Sequence, residues 1–137
     1  MGLYLCVFDG DEEIDGVEVG SYADFNAFRD FIVRQLEHGT PGYRFPTLII
    51  HSDCDGEWTL EECEKLHVEL GMVMMELKQQ SPAPLNSEWQ ARVVASIGLK
   101  AQNAFESFID VAGEFLLERL IGLADVAIRR RMPILFQ

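Results

Sequence analysis

Residues 3–24, "LYLCVFDGDEEIDGVEVGSYAD", change hydrophobic period twice within one short stretch. Leu3 to Phe8 is an unbroken apolar run with aromatic and branched side chains, short enough to read as a buried strand. Two Asp-Gly pairs, Asp9-Gly10 and Asp15-Gly16, then mark turns within an acidic run of Asp9, Asp11, Glu12, Glu13 and Asp15. Val17, Glu18 and Val19 alternate apolar and polar, as a strand with one wet face does. The product expected is a hairpin-like or looped pair of strands with an acidic tip. Ser21, with Asp24 three residues on, supplies the capping arrangement that satisfies free amides at a helix start. Phe25, Phe28, Ile32 and Leu36 then recur at three- and four-residue spacing until Gly39, which predicts an amphipathic helix.

Outward from this stretch, "TLII" at Thr47 to Ile50 reads as another short buried strand. A second helix is predicted from about Thr59 to Gln80, with Leu66, Leu70, Val73, Met74 and Leu77 as its apolar stripe. The nearby Met72, Met74 and Met75 read as gap-filling core rather than a soft-metal patch. Asn86 or Ser87 caps a short helix carrying Trp89, Val93, Val94 and Ile97, and "FESFIDV" reads as a strand with alternate faces. The last helix, Glu114 to Arg131, ends in three arginines where its dipole favours cations. Pro133 breaks it, and "ILF" returns as a terminal strand. Strands interspersed with helices, without strict alternation, predict an α+β fold. We expect one domain over residues 1–137, a small mainly antiparallel or mixed sheet packed against three to four helices. A chain of 137 residues with 48% hydrophobic content supports one core and is too short for two.

Charge is unevenly placed. Residues 1–80 hold 17 acids and 5 bases, whereas residues 81–137 hold six of each, so the whole net charge of −12 lies in the first part. Such a surface repels phosphate backbones and argues against nucleic-acid binding, but it would attract and steer a basic protein. No apolar stretch is long enough for a membrane span, and the N-terminus lacks the basic flank of a secretion signal, so a cytoplasmic protein is expected. Cys6, Cys54 and Cys63 form no CxxC pair and read as reduced thiols.

"HSDCDGEWTLEE", His51 to Glu62, resembles a calcium loop when Gly56 is set on the invariant glycine. Asp53, Asp55 and Glu62 then fall on ligand positions and Trp58 on the apolar eighth. His51 in first position is a poor substitute for a carboxylate toward a hard cation, and the incoming segment reads as a strand rather than a helix. A capped strand-to-helix junction explains the same residues, with Thr59 and Glu62 as its capping box. No metal or cofactor is therefore expected; the alternatives are calcium on Asp53, Asp55 and Glu62 or a small ligand on the same 51–62 loop, or a structural or interaction role. Catalysis is not expected either, since no GxSxG, HExxH or phosphate-cradling loop is present.

The segments "MGLYLCVFD", "DGVEVGSYADFNAFRD", "HSDCDGEWTLEEC" and "LLERLIGLADVAIRRRMPILFQ" together resemble the immunity protein seventy family of the bacterial polymorphic-toxin systems. The "HSDCDGE" phrase is also similar to one in small bacterial proteins without assigned function. Ala112 stands where the family pattern has aspartate, which speaks against a carboxylate site around Asp110 and Glu114. The resemblance implies a protein that binds and neutralises a cognate toxin, with no catalytic residues. An acidic face complements a basic toxin. The contact candidates are Asp9, Asp11, Glu12, Glu13 and Asp15 at the acidic tip, with Asp53, Asp55, Glu57 and Trp58 in the second motif. Trp58 has two readings, an aromatic anchor for a partner or packing onto its own helix. Sequence leaves the oligomeric state open.

Overall fold

The computed structural model describes residues 2–137. Strand β1 (Gly2–Asp9) and strand β2 (Glu12–Ser21) form the expected hairpin, paired antiparallel through a two-residue loop. Gly10 is the first residue of that loop and has φ of 64°, which a type II′ turn requires there and a side chain disfavours. Leu3, Leu5, Val7, Val17 and Val19 point to one side and enter the core. Two further strands complete the sheet, β3 (Glu57–Trp58) and β4 (Ile134–Phe136), in the order β2-β1-β4-β3 with every neighbouring pair antiparallel. The C-terminal "ILF" thus lies between the first strand and β3, which is where the chain's two ends meet.

Three helices cover the inner side of the sheet: α1 (Tyr22–Leu36), α3 (Leu60–Leu77) and α5 (Leu116–Arg130). Both expected capping boxes are present and reciprocal, Ser21 with Asp24 and Thr59 with Glu62. The stripes read from spacing are the buried faces, including Phe25, Phe28, Ile32 and Leu36 on α1 and Leu66, Leu70, Val73 and Leu77 on α3. Aromatic side chains bind α1 to the loop before α5, with Phe28 and Phe31 meeting Phe108 edge-on at 5.1 and 5.4 Å between ring centres.

Two expected strands are not strands. "TLII" belongs to a short helix, α2 (Pro46–Ile50), which raises the helix number from the expected three or four to five. Its start has a proline at the first turn and a borrowed cap: the Glu69 carboxylate of α3 accepts from the amides of Thr47 (3.2 Å) and Leu48 (3.0 Å). At its other end, the buried Arg29 guanidinium donates to the carbonyls of Leu48, Ile49 and His51 at 3.3, 3.2 and 2.7 Å. A threonine and three apolar residues carry no period, and these two long-range side chains decide for the helix. "FESFIDV" opens as a 3₁₀ turn at Phe105–Ser107, and Ile109 makes only an isolated bridge to Phe115. The remaining helix, α4 (Glu88–Ile97), starts at Ser87 as expected and sits at the edge of the fold.

Candidate partner interface

Residues directly opposite on neighbouring strands share a face, so the strand pairing fixes what lies on the sheet's outer side. Tyr4 faces Glu18, Phe8 faces Glu13, and one row runs across all four strands as Gly16, Cys6, Leu135 and Glu57. Apart from Cys6, which is fully buried, none of these side chains belongs to the hydrophobic core. Tyr4, Phe8 and Leu135 are half-buried in the middle, while Glu13, Glu18 and Glu57 are exposed toward the two edges. The four strands contain six acids and no Lys, Arg or His. The two acidic segments that sequence placed 40 residues apart therefore flank one surface, with apolar and aromatic groups between them.

Local packing holds this face in shape. The Tyr4 ring lies over Gly16, where a Cβ would come within 2.0 Å of the phenol oxygen, so only glycine fits beneath it. The Tyr4 hydroxyl donates to Glu13 at 2.6 Å. That bond, with help from burial and the Glu13 charge, pushes the phenol up to about 12, which keeps it neutral. Beneath the face the Cys6 thiol is raised by burial, and on the core side burial raises that of Cys63 to about 11, so neither is a ready nucleophile.

The expected contact residues divide sharply. Glu13 and Glu57 reach the outer face, Asp11 and Asp55 are exposed in the loops beside it, and Glu12 is exposed at the first position of β2. Asp9 lies 3.7 Å from Arg130. Asp15 points inward and fastens α5 to β2 through Arg119 at 3.3 Å. Arg119 also donates to the Gly16 carbonyl at 2.6 Å and meets the buried Asp110 at 3.6 Å, which is the structural employment of that carboxylate. Asp53 accepts from Asn26 at 2.7 Å, and this bond lowers its pKa from the ordinary carboxylate value. Trp58 is only 1% exposed, so its side chain is part of the core and is not displayed on the surface, and its ring partners are His51 and Phe136. Its indole donates to the Thr47 carbonyl at 2.9 Å and its ring meets Phe136 edge-on at 4.7 Å. On a two-residue strand its neighbour Glu57 necessarily points the other way.

The calcium trio does not assemble. Glu62 is turned back onto the Thr59 amide at 3.0 Å as the capping box demands, while Asp53 is held on Asn26. His51, in the first ligand position, stacks on Phe136 at 4.2 Å, with its two ring nitrogens against the carbonyls of Ser52 and Glu57 at 2.9 and 2.8 Å. Among the described residues, no three His, Cys, Asp or Glu side chains converge as a metal site. Four residues of the outer face escaped the sequence reading: Tyr4, Phe8, Glu18 and Leu135. The even spacing of Tyr4 and Phe8 in β1, and the wet position of Glu18, are the signals that mark them.

A family model described as immunity protein 70 matches residues 3–136, nearly the whole chain. The chain belongs to the immunity protein 70 family. No curated protein and no solved structure matches it. Among the described residues of this immunity protein 70 member, no helix is long and apolar enough to cross a membrane.

Proposed function

We propose that this protein binds a cognate bacterial toxin through the outer face of its sheet and neutralises it by occupying the toxin's surface. No reaction and no cofactor are involved. The observation that carries the reading is the composition of that face, apolar and aromatic at the centre and acidic at both edges, with no base on any strand. Stable interfaces have this anatomy, in which desolvated central side chains supply affinity and a charged rim supplies steering and partner choice. A basic toxin is the complement.

Size adds a requirement. The hairpin strands pair over eight residues but β4 and β3 add only three and two, so at about 4.8 Å between strands and about 3.4 Å per residue the face is at most roughly 15 by 27 Å, under about 400 Å². One side of an ordinary stable interface covers about 800 Å². The contact therefore extends past the strands, over the hairpin tip at Asp11 and Glu12 or over the groove beside Glu18. The test is co-expression with the toxin encoded next to the gene. Relief of killing by the natural chain, lost on reversing Glu13, Glu18 and Glu57 to Lys in a folded protein, supports the proposal; no relief by the natural chain refutes it.

A further inference from the structure

Beside the outer face lies a groove of about 700 Å³ between the open end of the β1–β2 hairpin and α4. Its floor is backbone. Gly20 has φ of 122°, and a Cβ there would come within 2.8 Å of the Trp89 ring and 2.7 Å of the Asp24 carboxylate, so the indole rests directly on the strand end. Leu3, Val93 and Val111 supply apolar walls, Trp89 and Tyr4 supply aromatic ones, and Glu18 stands at the rim.

The far wall is pinned rather than packed. Three donors from the start of α4 converge on Asp24: Asn86 Nδ2 at 2.7 Å, Trp89 Nε1 at 2.9 Å and the Ser87 hydroxyl. The Ser21 amide and hydroxyl complete its shell at 2.8 Å each. Five donors leave this carboxylate no lone pair for a ligand. Glu18 differs: it is exposed, borders the groove, and makes no side-chain hydrogen bond or ion pair among the described residues. A second cavity also borders Glu18, but its cation, Arg119, is already engaged by Asp15, Asp110 and the Gly16 carbonyl.

An uncommitted carboxylate beside two aromatic side chains and apolar walls matches one side chain above others. A guanidinium is planar, weakly hydrated, stacks on aromatic faces and pairs with a carboxylate while its methylene stem lies on apolar surface. We propose that this groove receives an arginine side chain of the partner protein, stacked against Trp89 and Tyr4 and paired with Glu18. The inference rests on the toxin-binding reading, because Tyr4 and Glu18 belong to both surfaces; it adds the chemistry of the partner's anchor.

The test needs no toxin. The chain has two tryptophans, so its ¹⁵N spectrum carries two indole resonances: Trp89 lines the groove and Trp58, buried, serves as reference. Phenylguanidinium and its neutral isostere phenylurea are titrated into the full chain. A saturable shift of the Trp89 resonance with phenylguanidinium is expected, with Trp58 unmoved and phenylurea at least about fivefold weaker. Glu18→Gln should weaken phenylguanidinium about three- to fivefold, the range of an exposed ion pair. An unmoved Trp89, equal binding of phenylurea, or undiminished binding by Glu18→Gln would each overturn the proposal. Toxin rescue that persists while the groove fails this test would leave the broader reading standing, and the reverse result would separate them equally.

Discussion

Replacing Asp24 by Ala should separate the stability of α4 from that of the rest of the fold. Asp24 has two employments: it closes the capping box of α1 with Ser21, and it gathers Asn86, Ser87 and Trp89. Ser21 remains the N-cap of α1, but loss of the carboxylate half of the capping box costs up to about 1 kcal/mol. Each of the other three bonds contributes about 1 kcal/mol net, somewhat more because the acceptor is charged. The sum is about 4 kcal/mol, but it does not fall on one transition. The cap belongs to α1 and to global unfolding, whereas the three bonds hold a peripheral helix whose Val93 and Ile97 otherwise rest on the backbone at Gly113. Urea unfolding should therefore lose about 1 to 2 kcal/mol overall, while hydrogen exchange at the Trp89 indole accelerates far more than at the Trp58 indole. Acid should act in the same direction on the natural chain. Burial raises the Asp24 carboxyl, but the bonds from Ser87, Trp89, Ser21 and Asn86 outweigh it and hold the group well below its ordinary value of 3.8. A depressed folded value means the unfolded chain binds the proton first, so the contribution is present above 3.8 and is lost as pH falls below it. If Asp24→Ala leaves Trp89 exchange unchanged, or if both indoles open together with a loss near 4 kcal/mol, the division into a core and a pinned helix is wrong.

Gly16→Ala should destabilise the hairpin by about 1 to 3 kcal/mol in urea unfolding, because the new methyl collides with the Tyr4 ring; adding Tyr4→Ala should remove most of the added penalty in a double-mutant cycle. The Tyr4 phenol should titrate near 12 by ultraviolet absorbance, and Glu13→Gln should lower that value because the hydrogen bond and the charge of Glu13 raise it; an unchanged titration in the variant would contradict the assignment. Millimolar calcium should leave the melting temperature unmoved, since Glu62 and Asp53 are engaged within the chain; a rise would reveal an ion bound to the folded state.

Helix starts were legible because capping chemistry is local: Ser21 with Asp24 and Thr59 with Glu62 lie three residues apart and do in space what their spacing says. The β1–β2 hairpin was legible in part: of the two Asp-Gly pairs that signal turns, Asp9-Gly10 makes the turn, whereas Asp15-Gly16 lies inside β2, which starts at Glu12 and not near Val17. What sequence hid was decided at long range. "TLII" is helical through Glu69 and Arg29, which come from α3 and α1, and no residue within the segment carries that information. The place of β4 between β1 and β3 rests on Cys6 meeting Leu135 across nearly the whole chain. Trp58 illustrates the limit at a site: beside acidic residues on a turn it reads as an anchor, yet two-residue β3 sends Glu57 outward and Trp58 into the core. The outer face was half legible, through Glu13 and Glu57, while Tyr4 and Phe8 were lost in a run that reads as buried on both sides.

The most direct measurement is the affinity of the purified chain for the toxin encoded beside it, comparing two triple charge reversals of equal size. Glu13, Glu18 and Glu57 to Lys changes the outer face; Glu61, Glu64 and Glu118 to Lys changes exposed acids on α3 and α5. The first set should weaken binding by about 100-fold or more, on the order of 1 kcal/mol for each reversal, whereas the second should change it only by a few-fold through long-range steering. Equal losses from both sets, or a larger loss from the second, would contradict the assignment of the outer sheet face as the toxin-binding surface.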